Sequence, residues 1–209
     1  MEKMKIKKDQ VVLFVLGVLC FFISQIVLRI PLLNFLSRNF SFSIFSLRHP
    51  VLVSLGVLVS AGLFEEGFRF LFRKFLLRAE GQNEKGLFEF KDSLSRPIIF
   101  GLGHGLCEVA YVFSLADLGL SFENYFYIIL ERFLAVVFHI CQTILIFKGF
   151  NDGKKYLYLG LAILFHTLFN SLIYLRNQVG ILGLYGLFAL FDFVYIFLVK
   201  KNSYEKKEI

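Results

Sequence analysis

The residues of this chain that could do chemistry are few, and they sit where charge is costly. The stretch Gly62-Leu63-Phe64-Glu65-Glu66-Gly67-Phe68-Arg69-Phe70 places two adjacent carboxylates, and an arginine one turn later, near the end of an apolar run from Val51 to Phe72. An ionisable group at the centre of a membrane helix costs roughly 2.5–3.5 kcal/mol on insertion scales, so such groups are usually retained for function. His104, Glu108, His139 and His166 also fall inside apolar runs, whereas the fourth histidine, His49, falls in a connecting segment. Helical spacing supplies partners. His104 and Glu108, His166 and Asn170, and Glu65 and Arg69 are each four residues apart and share a face. Arg132 lies two turns before His139, with Glu131 beside it. An arginine at membrane depth needs a carboxylate, and Glu65, Glu66, Glu108 and Glu131 are the candidates for Arg132. Glu65 and Glu66 point about 100° apart on a helix, which suits two different tasks.

Imidazole nitrogens with a carboxylate suit a Zn²⁺ site that keeps a position open for water. His104, His139, His166 and Glu65 are the candidate ligands. A second carboxylate could take the proton of the activated water. Asn170, or a histidine outside the metal site, could donate to an oxyanion. There is no HExxH, no CxxC and no evident Ser–His or Cys–His pair. Cys20, Cys107 and Cys141 all lie in apolar runs and read as small packing residues.

The elements that must position these groups are membrane helices. The 209 residues are 57% hydrophobic, above the roughly 45–50% of soluble domains, and mean hydropathy is +0.68. The expected fold is an all-α polytopic transmembrane bundle with about six spans, near 10–29, 50–72, 97–115, 124–147, 156–175 and 180–199. The aromatic, amphipathic segment 31–48 reads as an interfacial helix or loop; as a re-entrant or crossing segment it would raise the count to seven or eight. Basic residues Lys3 to Lys8 followed by a long apolar run read as an uncleaved first helix rather than a signal peptide. Of the 23 basic residues, eighteen lie in 1–10, 69–97, 148–155 and 200–209. The positive-inside rule therefore puts both termini and the polar loop 78–96 in the cytoplasm, and loop 116–123 outside. The net charge of +7 reports topology and anionic lipid, not nucleic acid. At about 1.5 Å per residue, Glu65/Glu66, His104, His139 and His166 reach one depth in the cytoplasmic half of the bilayer, brought there by four helices. The chain reads as one domain, 1–209, with a motif-bearing core at 55–175. Gly101, Gly103 and Gly105, and Gly180, Gly183 and Gly186, read as sites of close helix packing.

Together EExxR at Glu65–Arg69, GHGxxE at Gly103–Glu108, ERxxAxxxH at Glu131–His139 and HxxxN at His166–Asn170 resemble the YhfC family of intramembrane metallopeptidases. The wider pattern is similar to the CPBP clan, which includes the CAAX prenyl endopeptidases. That clan usually has EExxxR, so Arg69 is one residue closer here. The stretch Phe64 to Glu80, with His139 and His166, is also similar to the Aph subunit of gamma-secretase, regarded as a non-catalytic relative. The resemblance implies that Glu65, Glu66 or both, with His104 or His139, activate water. It implies that His166 and Asn170 complete a metal site or stabilise the oxyanion, that Arg69 orients the glutamates, and that Glu108, Glu131 and Arg132 support them. The expectation is a glutamate/histidine-dependent protease of a prokaryotic plasma membrane, acting on membrane-embedded or membrane-associated peptide or protein, alone or in a membrane-protein complex. The rivals are a non-catalytic scaffold like Aph and an ion- or proton-coupled transporter. No inverted repeat supports the transporter.

Overall fold

Lipid offers no partner to backbone N–H and C=O groups, so a spanning chain must satisfy them within itself. The computed structural model describes residues 8–81, 94–115 and 122–204. Every element among them is helical: α1 (Lys8–Phe21), a π-helical stretch (Phe22–Arg29), α2 (Ile30–Ser37), α3 (Phe40–Arg48), α4 (Pro50–Gly81), α5 (Ser95–Leu115), α6 (Phe122–Asn151), α7 (Lys155–Ser171), a 3₁₀ turn (Leu172–Leu175) and α8 (Arg176–Tyr204). The protein is an all-α polytopic bundle.

Among the described residues, five stretches are long and apolar enough to cross a membrane: Lys8–Ser37, Pro50–Arg78, Ser95–Leu115, Tyr125–Asn151 and Lys155–Lys200. The last has 46 residues, over twice the roughly 20 that one crossing needs. It folds back on itself. Phe165 meets Tyr195 at 5.0 Å between ring centroids, and Phe169 meets Phe188 at 4.8 Å, so α7 and α8 run antiparallel. The reversal falls at the 3₁₀ turn and at Gly180, whose φ of 71° breaks the helix. That left-handed angle carries a steric penalty for any residue with a Cβ.

Elsewhere directions alternate. Gln25 reaches Glu65 and Arg29 reaches Ser60, so the first span opposes α4. Glu66 faces His166 while Phe70 faces Tyr156, so α4 opposes α7. Gln142 donates to the Ala162 carbonyl and Phe138 stacks on Phe169 at 4.1 Å, so α6 opposes α7. This is the six-crossing arrangement expected from the sequence. One end of the bundle carries Lys8, Arg73, Lys74, Arg78, Arg96, Lys148, Lys154, Lys155 and Lys200, which the positive-inside rule assigns to the cytoplasm.

Three expectations shift. The first span continues helically through 30–37 instead of ending at 29, because the π-helical stretch carries the helix past Pro31. Only Phe40–Arg48 forms the separate amphipathic helix, capped by the Asn39 side chain, which accepts from the Phe42 N–H at 3.1 Å. The second span is helical to Gly81, not 72. Much of the expected polar loop 78–96, and most of loop 116–123, lies outside the described residues.

Small residues set the packing, as expected on α5 but not on α8. A Cβ on Gly17 would lie 2.1 Å from the Phe100 carbonyl oxygen, and one on Gly103 would lie 2.2 Å from that of Phe14. One on Gly101 would lie 2.7 Å from Ile140 Cα. Backbone contact of this kind is how membrane helices gain packing without a hydrophobic driving force. On α8 the expectation fails. Among the described residues, nothing lies within 4 Å of a Cβ at Gly180 or Gly186, and Gly183 crowds only its own Val179. Gly180 serves the bend instead.

Candidate metal-binding active site

Glu65 is the centre of the polar layer. It is 5% exposed and faces a cavity of about 380 Å³. His104 Nε2 lies 3.0 Å from its Oε2, and His139 Nδ1 lies 3.9 Å from the same oxygen. His166 Nε2 lies 3.7 Å from Oε1. Three helices thus bring three imidazoles around one carboxylate on a fourth, in the layer that the spacing placed them in.

Glu66 is differently placed. It is fully buried, and its Oε1 accepts from His166 Nδ1 at 2.8 Å. Both of its oxygens accept short hydrogen bonds from Arg69 Nη1. The expected i,i+4 pair of Glu65 with Arg69 is therefore replaced by an i,i+3 pair of Glu66 with Arg69. On α4, Arg69 lies under Glu66, and Glu65 turns away from it toward the cavity. The two adjacent carboxylates have separate surroundings, as their 100° divergence requires.

Glu108 also departs from its expected partner. It turns across to α6, where its Oε2 makes a short hydrogen bond with His139 Nε2, rather than pairing with His104 on its own helix. Its Oε1 accepts from Arg132 Nη1 at 2.6 Å, and Glu131 accepts from Arg132 Nη2 at 2.7 Å. Of the four carboxylates considered for Arg132, these two are the ones it meets. Asn170 lines the cavity one turn beyond His166.

These pairings fix tautomers. Ionised carboxylates only accept and guanidinium only donates. Glu108 is held by Arg132, so His139 donates through Nε2–H. Its Nδ1 faces Arg69 Nη2 at 3.3 Å and so carries the lone pair. By the same argument Glu66, held by Arg69, takes the proton of His166 Nδ1–H. A neutral His166 then presents an Nε2 lone pair toward Glu65 and the cavity. The Glu108 carboxylate behind His139 is the usual outer arrangement of a metal-ligating histidine.

A metal fits this set. One oxygen of Glu65 and one ring nitrogen each of His104 and His139 lie within 4.8 Å of one another. His139 Nδ1 lies 3.9 Å from Glu65 Oε2 and 3.3 Å from Arg69 Nη2, so a cation bound there would take the lone pair that Arg69 now meets. His104 Nδ1 is buried with no hydrogen-bond partner among the described residues. Two nitrogens and an oxygen are a donor set suited to Zn²⁺.

The cavity lies to one side of this layer. Its walls include Val57 and Ala61 on α4, Tyr111 and Val112 on α5, Arg132 and Ala135 on α6, Asn170 on α7 and Ile173 on the 3₁₀ turn. All of these lie away from the basic end. Toward the basic end, rings close the bundle. Phe70 packs on Phe150 at 4.8 Å, Phe100 on Phe147 at 5.9 Å, and the Arg73 guanidinium sits 4.6 Å over the Phe147 ring.

The first span enters the site, which the motif spacing did not signal. Gln25 Nε2 donates to Glu65 Oε1 at 2.7 Å, and Arg29 Nη1 donates to Gln25 Oε1 at 3.0 Å. The available signal was a Ser-Gln pair, Ser24-Gln25, followed by Arg29 in an otherwise apolar run.

No match to this chain was found among curated proteins. A family model described as YhfC intramembrane metalloprotease matches residues 3–120 and 115–192, an extent that contains every side chain of the polar layer and its Gln25 support. With nearly the whole chain covered, the protein belongs to the YhfC intramembrane metalloprotease family.

Proposed function

We propose that the protein hydrolyses peptide bonds within or next to the bilayer of a prokaryotic plasma membrane, at the Glu65 centre. The observation that carries this reading is that Glu65 faces a cavity while ring nitrogens from three other helices surround it within 3.0–3.9 Å. Glu65, His104 and His139 would hold the metal ion. When bound, a Zn²⁺-type ion supplies Lewis acidity and a water that ionises near neutral pH.

The remaining roles follow from which atoms are free. Both Glu66 oxygens are engaged by Arg69, so Glu66 orients rather than reacts. It holds the proton of His166 on Nδ1, leaving Nε2 to accept a proton from a water beside Glu65. The same nitrogen then returns that proton to the leaving amine nitrogen as the C–N bond breaks. Asn170, one turn further along the cavity wall, offers an amide N–H to the carbonyl oxygen as it gains charge. Glu108 keeps His139 in the tautomer that a ligand needs, and Arg132 holds Glu108 in place. The substrate class that fits is a membrane-embedded or membrane-associated polypeptide, entering from the end away from the basic loops.

The test is cleavage of a reporter with one transmembrane segment, co-reconstituted in liposomes with wild-type, Glu65→Ala, His104→Ala or His166→Ala protein. Loss of a general acid–base group lowers a rate by about 10²–10⁴-fold, so all three variants should fall at least that far. Equal cleavage by all four proteins would sink the assignment. Normal assembly of a complex without cleavage by any of them would favour the scaffold role of the Aph relatives.

A further inference from the structure

The first span is the element of the site that no motif marks, and its local geometry is unusual. Phe22–Arg29 is π-helical over eight residues. Such segments are rare and occur mostly as single-turn bulges at functional sites. Here the buried residues of the stretch are Ser24 and Gln25, adjacent positions that a regular helix would splay by about 100°. Close approach of α1 to α5 at Gly17 and Gly103 brings this stretch against the polar layer.

We propose that Gln25 is a positioning residue of the metal-binding centre, setting which oxygen of Glu65 faces the ligand histidines. The inference rests on the reading of Glu65, His104 and His139 as the metal-holding set. Arg29 can only donate, and it is itself fixed by the Ser60 hydroxyl at 3.0 Å and the Val57 carbonyl at 2.9 Å. It therefore orients the carbonyl oxygen of Gln25 toward itself and turns the amide N–H onto Glu65 Oε1. With Oε1 held, Oε2 is the oxygen left toward His104 and His139, at 3.0 and 3.9 Å. Gln25 is 4% exposed and lines the cavity beside Glu65. Outer partners of this kind are worth about 10–100-fold in metal affinity.

The test uses Co²⁺ as the probe, titrated into purified apoprotein in detergent and followed by its visible absorption, with thermal unfolding of each apoprotein alongside. Gln25→Met keeps the side-chain length and removes the donor. It should bind Co²⁺ about 10–100-fold more weakly than wild type, and Glu65→Ala should lose binding altogether. Arg29→Met, which leaves the Gln25 amide on Glu65 but releases the Gln25 carbonyl together with the Ser60 and Val57 contacts, should weaken binding less than tenfold, and serves as the second variant if Gln25→Met does not fold. A purely structural role would lower the unfolding temperature and leave the affinity of the folded protein unchanged. Wild-type affinity in both variants overturns the inference while the metal site stands. Absence of Co²⁺ binding by the wild type overturns the metal site itself.

Discussion

The two sides of the Glu65 layer are built from the same helices and differ in kind. Toward the basic end, Phe70, Phe100, Phe147 and Phe150 fill the space between α4, α5, α6 and α7. Away from it, the same four helices and the first span stand apart around about 380 Å³. Aromatic rings can slide and interdigitate until space is filled. Side chains in the polar layer cannot, because Glu65, Glu66, Glu108 and His139 are each held by at least two directional partners, and collapse would strand a buried charge. The contrast teaches that the polar layer props the bundle open on one side and rests on a packed floor on the other. It also gives the site a direction, with the cavity on the side away from the basic end.

The contrast can be broken most severely at the layer itself. Arg69→Met leaves Glu66 buried with its main partner gone, and removing one member of a buried pair costs about 3–5 kcal/mol. Loss of monodisperse protein on size exclusion in detergent is the expected result; a stable Arg69→Met protein would show that Glu66 is not held as an ion. Gly17→Ala should act next. Its new Cβ would lie 2.1 Å from the Phe100 carbonyl oxygen, forcing α1 from α5 at a cost of about 1–3 kcal/mol. Because Gln25 rides on that span, Co²⁺ affinity should drop together with stability. Phe100→Leu probes the floor and should cost about 1 kcal/mol without altering Co²⁺ affinity; a change in affinity would mean floor and site are not separable. Glu131→Gln should do least, under about 0.5 kcal/mol, since Arg132 keeps Glu108 and Glu131 sits at the partly exposed cavity mouth. A larger loss of cleavage than of stability in Glu131→Gln would give that carboxylate a role in substrate binding.

The sequence made the spans and the depth of the layer legible, because 20-residue apolar runs and basic blocks are one-dimensional signals. It also gave the members of the layer, since a carboxylate or imidazole inside such a run stands out by type alone. It misassigned partners. The i,i+4 rule suggested Glu65 with Arg69 and His104 with Glu108, yet Arg69 takes Glu66, and Glu108 crosses to His139. On a single helix the rule is sound, but interhelical neighbours compete for the same donors, and spacing along one helix does not contain them. Gln25 was overlooked for a related reason. A neutral amide costs less to bury than a charge and so draws less notice, and the π-helical turn that aims it has no simple sequence signature. The glycines of α8 show the converse case, where a three-residue recurrence suggested packing and the structure uses Gly180 for a bend.

The central claim is that side chains from four helices form one metal-dependent centre. Metal content of purified wild-type protein, compared with His139→Ala prepared in parallel, tests it most directly. The account predicts about one Zn²⁺-type ion per chain in the wild type and little in the variant, because three ligands become two. Equal metal in both, or full cleavage activity in wild-type protein that holds none, would contradict it.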